Sequence, residues 1–282
     1  MTLFNRNWKD FFPRLKKTSG GFGTYITLIG FIMAIISLIY PDNSFPYMLE
    51  FGIGSSFVGI IWYVYQAWPD KLLKLESYAN KPIPLVEISK IFPPPFKVGV
   101  VGCSKSGKTT FFQKANFIRK PLTRTNEVYA NVFQLPAHLS AEKKNLIIFD
   151  GDGKQHTQQF DIMNHVNLLI IFFDHNENDS AIEIVEERLK DHQNFFEQLK
   201  FHIKNCHNLH YIHLVLNKND LWGDSPEEKQ ILSNWFNKFS QDLSYLGGVK
   251  VSLSFEHSNK DPDCIAEVLE HIAKYLGEFD GK

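Results

Sequence analysis

The sequence predicts an α/β domain preceded by two apolar helices. Three observations carry this. After residue 97, apolar runs rich in β-branched residues alternate with helix-period segments. The first of those runs leads through Gly102-Cys-Ser-Lys-Ser-Gly107-Lys108-Thr109 into a helix-like stretch, and two long uncharged stretches lie before residue 70.

The uncharged stretches come first in the chain. Phe22 to Tyr40 reads FGTYITLIGFIMAIISLIY, and Phe51 to Trp68 reads FGIGSSFVGIIWYVYQAW. Each approaches the roughly 20 residues that cross a 30 Å hydrocarbon core at 1.5 Å rise per residue. Pro41-Asp42-Asn43-Ser44 is a polar turn between them, and Tyr25, Tyr40, Tyr47, Trp62, Tyr63, Tyr65 and Trp68 sit where interfacial aromatics belong. Gly30/Ala34, Gly52/Ser56 and Ser55/Gly59 place small residues four apart, as close helix contact in lipid requires. Arg6, Lys9, Arg14, Lys16 and Lys17 precede the pair, Lys71 and Lys74 follow it, and the turn has no basic residue. A lipid bilayer crossed twice, at 22–40 and 45–68, with both termini cytosolic, is therefore the expectation. Lys71–Asn80 (KLLKLESYAN) reads as a short amphipathic helix at the headgroups, and Pro82, Pro84 and Pro93–Pro95 as an extended linker. The expected division is a basic segment 1–21, the two spans, a linker 69–96 and a folded domain 97–282.

Composition narrows the function. Over 282 residues the formal net charge is -1, so no polyanion footprint exists and nucleic acid is not an expected partner. Cys103, Cys206 and Cys264 are far apart and form no C-x-x-C unit, which suits free thiols in a reducing compartment. His202, Cys206, His207, His210 and His213 match no regular structural-zinc spacing.

Two motifs about a hundred residues apart carry the chemistry. Gly102–Thr109 fits G-x-x-x-x-G-K-[ST] between a predicted strand, Lys97–Val101, and a predicted helix. Backbone N–H groups of such a loop form an anion nest, so Gly102, Ser104, Lys105, Ser106, Gly107, Lys108, Thr109 and Thr110 are the expected phosphate-binding residues. Lys108 would reach the β- and γ-phosphates and Thr109 would ligate Mg²⁺. Asp150 ends the buried-type strand Asn145–Asp150, where a Mg²⁺-associated carboxylate belongs, and Gly153 can bring its N–H to a γ-phosphate. Asn217-Lys218-Asn219-Asp220 follows the apolar run Leu214–Leu216. A carboxylate at Asp220 can accept from guanine N1–H and N2–H₂, whereas adenine presents an acceptor at N1. Lys218 can lay its stem along the base.

On these motifs the chain resembles the Ras-like, translation-factor-related P-loop GTPases: Gly102–Thr109, then D-x-x-G at Asp150–Gly153, then N-K-x-D at Asn217–Asp220. The resemblance spans about residues 97 to 282. It implies a mostly parallel six-stranded sheet with flanking helices, GTP/GDP and Mg²⁺ as cofactors, and a nucleotide-state-dependent protein partner. It also implies a Mg²⁺-binding threonine within Ile118–Asn126, where Thr125 is preferred to Thr123 because an alternating strand begins just after it. The family's Ser-Ala-Lys element is matched loosely by Val251–Phe255, with Ser252 the expected base contact. Where the family has a water-orienting glutamine this chain has Lys154, followed by Gln155. Slow turnover is then expected, assisted by Gln155, His156, Arg124 or an activating protein's arginine. The layout is similar to that of the signal-recognition-particle receptor β subunit, which has one anchor rather than two. A GTP-binding scaffold without hydrolysis is the alternative, and a membrane-remodelling GTPase a weaker one because no long helical stalk is present.

Overall fold

In a computed structural model the described residues are 6, 8–18, 21–39, 47–78, 83–115, 129–136, 138–139, 144–150, 156–245 and 248–280. The turn at Pro41–Ser44, the segment holding Thr123, Arg124 and Thr125, and Gly151–Gln155 lie outside them. The chain divides into two compact units, Met1–Leu73 and Lys74–Lys282.

In the first unit α1 (Phe11–Thr18) precedes α2 (Phe22–Ile39) and α3 (Met48–Gln66). The two longer helices meet along a seam of small residues. A Cβ on Gly30 would press on the Gly52 carbonyl, one on Gly52 would press on the backbone of Ala34, and one on Gly59 on the Gly23 carbonyl. Glycine removes those atoms and lets the backbones approach. Thr27 and Ser56 hydroxyls donate to the carbonyls of Gly23 and Gly52 on their own helices, at 2.8 and 2.9 Å, so the seam leaves these donors satisfied without water. Leu28, Phe31, Leu38, Phe51, Phe57 and Ile61 point outward and are each more than half exposed. By length and composition one helix among the described residues, α3, is sufficient to cross a membrane; Gly23–Ile39 is a shorter apolar helix.

The second unit begins earlier than the expected boundary at residue 97, because the proline-rich stretch packs into it. Among the described residues 71–78 there is no α-helix; Leu75–Tyr78 turns as a 3-10 helix. β1 (Ile83–Pro84) then pairs antiparallel with β3 (Tyr129–Gln134), which makes the sheet seven-stranded rather than six-stranded. Pro84 is tolerated there because an edge strand need not donate on its outer side. A short helix, α4 (Leu85–Ile88), follows, and Ile83, Ile88, Ile91 and Phe96 are buried.

The remaining strands are β2 (Lys97–Gly102), β4 (Asn145–Asp150), β5 (Leu168–Phe173), β6 (Tyr211–Leu216) and β7 (Lys250–Ser254), in the order β1-β3-β4-β2-β5-β6-β7. β3 runs antiparallel to β4; β4, β2, β5, β6 and β7 are mutually parallel. β5 and β6 are buried at every residue, as unbroken apolar runs require. Alternate residues serve opposite faces. The Phe172 ring meets Phe111 of α5 (Lys108–Lys114), and α10 (Pro262–Asp280) adds Ile265, Val268, Leu269, Ile272 and Tyr275 to that cluster. Phe173 stacks on Phe239 of α9 (Pro226–Ser244) and touches Phe196 of α7 (Glu186–Ile203). Helices on both faces of a parallel sheet direct its strand-end loops to one edge, where ligands bind in such folds.

Candidate functional site

Four loops at the carboxyl ends of β2, β5, β6 and β7 form the site. The loop after β2 turns back through three residues with positive φ: Gly102 at 146°, Lys105 at 63° and Gly107 at 98°. Glycine is needed at two of them for space as well as angle. A Cβ at Gly102 would strike the Phe172 carbonyl, and one at Gly107 would strike the Asn217 amide. The Gly102 N–H is satisfied at 2.8 Å by Gln159, buried on α6 (His156–Met163). Lys108 is buried, and its ammonium donates to the carbonyls of Gly102 and Cys103, both at 2.8 Å. The cation thus spans the concavity of its own loop and holds those carbonyls on one side. Thr109 and Thr110 are exposed in the first turn of α5, and Asp150 ends β4 in register with Val100 of β2.

The loop after β6 joins the first loop to the loop after β7. Asn217 Nδ2 donates to the Ser106 carbonyl at 3.0 Å, and Asn217 Oδ1 accepts the Asn259 N–H at 3.1 Å. Asn259 closes the triangle by donating to the Gly107 carbonyl at 2.8 Å, with its own Oδ1 held by His257 at 2.9 Å. Asp220 accepts from Ser258 Oγ and Lys260 Nζ, both at 2.6 Å. Burial raises the Asp220 pKa, but hydrogen bonds from Lys260 and Ser258 outweigh it and hold the carboxyl below its ordinary range. It is therefore an anion at neutral pH and can only accept.

These contacts relocate one expected residue. Ser252 is not brought to the site: it lies within β7 beside His213, whose Nδ1 is 2.6 Å from its hydroxyl. Ser258-Asn259-Lys260 meets Asn217 and Asp220 instead. The legible signal was a Ser-x-Lys triplet in the loop after the last strand; strand placement had drawn attention to the wrong serine.

A buried ionic network, unmarked by any motif, underlies the two loops. Asp174 follows β5 and is fully buried. Arg188 Nε donates to its Oδ1 at 2.7 Å, and Arg188 Nη2 donates to the Ser104 carbonyl at 2.7 Å. Lys218 faces Asp174 Oδ2 at 2.8 Å, off the line a hydrogen bond needs, so that contact is an ion pair. The same ammonium donates to the Asn176 carbonyl at 2.6 Å and lies 3.0 Å from Asp179. Lys105 pairs at the surface with Glu177 at 2.9 Å. Burial would raise the Asp174 pKa, but the His192 hydrogen bond and the Arg188 and Lys218 charges hold it far below the usual range. His192 lies 2.6 Å from Asp174 Oδ1, and burial, outweighing that carboxylate, lowers its pKa. Its Nε2 also lies 3.2 Å from the Asp174 backbone N–H, and its Nδ1 is buried with no hydrogen-bond partner among the described residues. A strand-end acid after the run Leu168–Phe173, paralleling Asp150 at the end of β4, is the available clue.

Cys103 is buried in the loop, and burial pushes its thiol up to about 11 against the nearby Arg188 and Lys108 charges, so it is not a reactive thiolate. Among the described residues no group of three or more His, Cys, Asp or Glu side chains is arranged to hold a metal ion.

No family model matches the chain, and no curated protein matches it. Among solved structures the chain is similar to the signal recognition particle receptor SRb-GTP/SRX complex from Chaetomium thermophilum, at 12% identity over 64% of this chain and 98% of that one, with a TM-score of 0.48. It is also similar to a bacterial selenocysteine-specific elongation factor, EF-Sec, at 17% identity over 65% of this chain and 29% of that one, TM-score 0.45. A third is the elongation factor SelB from Methanococcus maripaludis with the GTP analogue GppNHp, at 15% identity over 65% and 34%, TM-score 0.38. The chain spans about a third of the length of each elongation factor. These likenesses are distant, and the assignment rests on the chain's own strand order and glycine-rich loop.

The strand order and the glycine-rich loop between β2 and α5 are those of a P-loop α/β fold.

A phosphate chain fits the first loop: positive φ at Gly102 and Gly107 curls its backbone, a buried lysine is present, and Ser106 Oγ is buried with no hydrogen-bond partner among the described residues. Mg²⁺ fits the hydroxyl of Thr109 and a carboxylate at the end of β4 by ligand type.

Proposed function

We propose that this chain is a membrane-anchored guanine-nucleotide-binding protein that hydrolyses GTP slowly or with a partner's help and recruits that partner to a membrane in one nucleotide state. The observation that carries the reading is the Asn217–Asn259–Gly107 triangle beside an ionised Asp220 supported by Ser258 and Lys260. It ties a base-reading carboxylate rigidly to the phosphate loop.

Each residue then has a physical task. Asp220 accepts from the guanine edge; presented with adenine, it faces an acceptor and is left unpaired. Lys108 and the N–H groups of Ser104 to Thr110 neutralise and orient the β- and γ-phosphates. Thr109, Thr125 and Asp150 are the proposed Mg²⁺ ligands, the ion supplying charge neutralisation across the phosphates when bound. Gly153 would present its N–H to the γ-phosphate, and Gln155 would orient water in place of Lys154, which as a cation cannot accept a hydrogen bond. Thr125 and Gly153 are the two points at which a γ-phosphate would order flanking segments for a partner.

For the anchor, we read α2 and α3 as two spans with both termini cytosolic. Their support is the inversion of the first unit: large apolar side chains outside, glycines within. Water disfavours such a surface by roughly 1.5–3 kcal/mol per large side chain, whereas hydrocarbon does not. A scaffold subunit that binds GTP without turnover is the second reading, favoured by Lys154.

Calorimetry on the purified full chain with GDP, GTP and ATP in Mg²⁺ tests the first reading. GDP and GTP should bind and ATP should not; ATP preference, or no binding, overturns it. Asp220→Asn should lower guanine affinity by about 2–3 kcal/mol, since one acceptor becomes a donor. Single-turnover hydrolysis separates switch from scaffold.

A further inference from the structure

The basic residues before α2 are not equivalent. Arg6 donates to the Pro69 carbonyl at 2.7 Å and lies over the Trp68 ring at 5.9 Å. Arg14 pairs with Asp70 at 2.7 Å. With the Tyr63 hydroxyl donating to the Leu15 carbonyl at 2.5 Å and Trp8 against Trp68 at 5.6 Å, they strap the 3-10 turn Trp8–Asp10 and α1 onto the end of α3. Those two arginines are therefore occupied in holding the segment in place. Lys9, Lys16 and Lys17 lie on its exposed face, and among them stands Phe12, 73% exposed.

We propose that this face binds the headgroups of anionic phospholipids. The inference rests on the reading of α2 and α3 as spans, and it deepens that reading by assigning lipid chemistry to α1. Two observations select a lipid surface. Phe12 is a large apolar side chain projecting between cations, the composition of an interfacial helix. The face also continues from the aromatic end of α3, where Trp68 and Tyr65 are exposed, so its lysines meet the bilayer where headgroup phosphates and carboxylates lie. Within residues 1–21 Asp10 is the single acidic residue against five basic ones, so the charge is complementary to an anionic leaflet.

The test is electron spin resonance on the full chain reconstituted in phosphatidylcholine vesicles carrying a trace of spin-labelled phosphatidylserine or phosphatidylcholine. The motionally restricted fraction should be roughly threefold larger for the serine lipid, falling to parity in 1 M salt and in the Lys9→Gln/Lys16→Gln/Lys17→Gln variant. Calorimetric GDP binding by that variant should be unchanged, showing that it folds. Equal restriction of the two lipids, or selectivity that survives in the variant, overturns the inference alone. So does selectivity abolished by inorganic phosphate at constant ionic strength, which would assign the lysines to a free anion. Loss of the chain from the vesicles on alkaline washing overturns the spans and the inference together.

Discussion

The two units of this chain solve packing in opposite directions. In the α2/α3 pair the smallest residues, Gly23, Gly30, Gly52 and Gly59, are inside and the phenylalanines and isoleucines outside. In the sheet domain the phenylalanines fill both faces, and Asp174, Arg188, His192, Asn217, Lys218 and Asn259 are buried polar groups gathered at the carboxyl ends of the strands. Apolar burial drives the second, whereas the helices of the first meet by close backbone approach with satisfied hydroxyls along the seam. The lesson is that burial must be judged against the solvent: an exposed Phe57 and a buried Phe172 each sit in hydrocarbon if the first unit lies in a bilayer.

The contrast can be broken at four points. The largest effect should come from Arg188→Met, which leaves Asp174 buried without its guanidinium and frees the Ser104 carbonyl; unfolding free energy should fall by about 3–5 kcal/mol in denaturant titration of the second unit. Arg188→Lys keeps a charge for Asp174 but offers one ammonium for two distant acceptors, so it should fold and bind GDP less tightly than the parent chain in calorimetry. Next, Lys108→Ala should weaken GDP by about a hundredfold in calorimetry with little change in melting temperature, because a charged donor to the phosphates is lost. A variant that binds as tightly as the parent would remove Lys108 from the site.

Gly52→Leu probes the other unit. The added atoms would press on the Gly30 carbonyl and the Ala34 backbone, and should destabilise the helix pair by about 1–3 kcal/mol while leaving GDP affinity untouched. Cysteine cross-linking across Thr27 and Ser56 reads the separation.

The last effect concerns acid. Burial first, then the neighbouring His271 and His257, pushes His213 down to about 3. Ser254 Oγ donates to Glu267 at 2.7 Å and so accepts from His213 Nε2 at 3.2 Å, a pattern consistent with the neutral ring. The unfolded chain takes up a proton near pH 6.5 that the folded chain refuses. Stability from this residue is therefore complete above about pH 6.5 and declines toward about pH 3, by roughly 1.4 kcal/mol per pH unit. His175, His192, His257 and His271 are lowered as well, each chiefly by burial, and share the sign. In His213→Asn the fall in denaturation midpoint between pH 7 and 4.5 should be shallower; an unchanged slope would show that His213 is not the group that titrates.

Local pattern located most strands, since Asn145–Asp150, Tyr211–Leu216 and the run from Leu168 to Phe173 are apolar stretches bounded by polar turns. The start of α7 at Glu186 is not marked by local pattern, since the Val185 N–H before it is committed to the His175 carbonyl. Local pattern also missed β1, whose two residues carry too little pattern to register and form a strand only through their pairing with β3.

What the sequence alone determined is what contiguous residues encode: the glycine-rich loop, the Asn217–Asp220 motif, the alternation of strands and helices, and the two apolar stretches. Only the tertiary structure decided which serine supports Asp220, that Asp174 and Arg188 brace both loops, and which basic residues before α2 face outward. Those outcomes depend on residues 14 to 84 positions apart meeting at strand ends and helix ends. Hydrogen bonds and ion pairs act over a few ångströms of space, and chain distance carries no record of them.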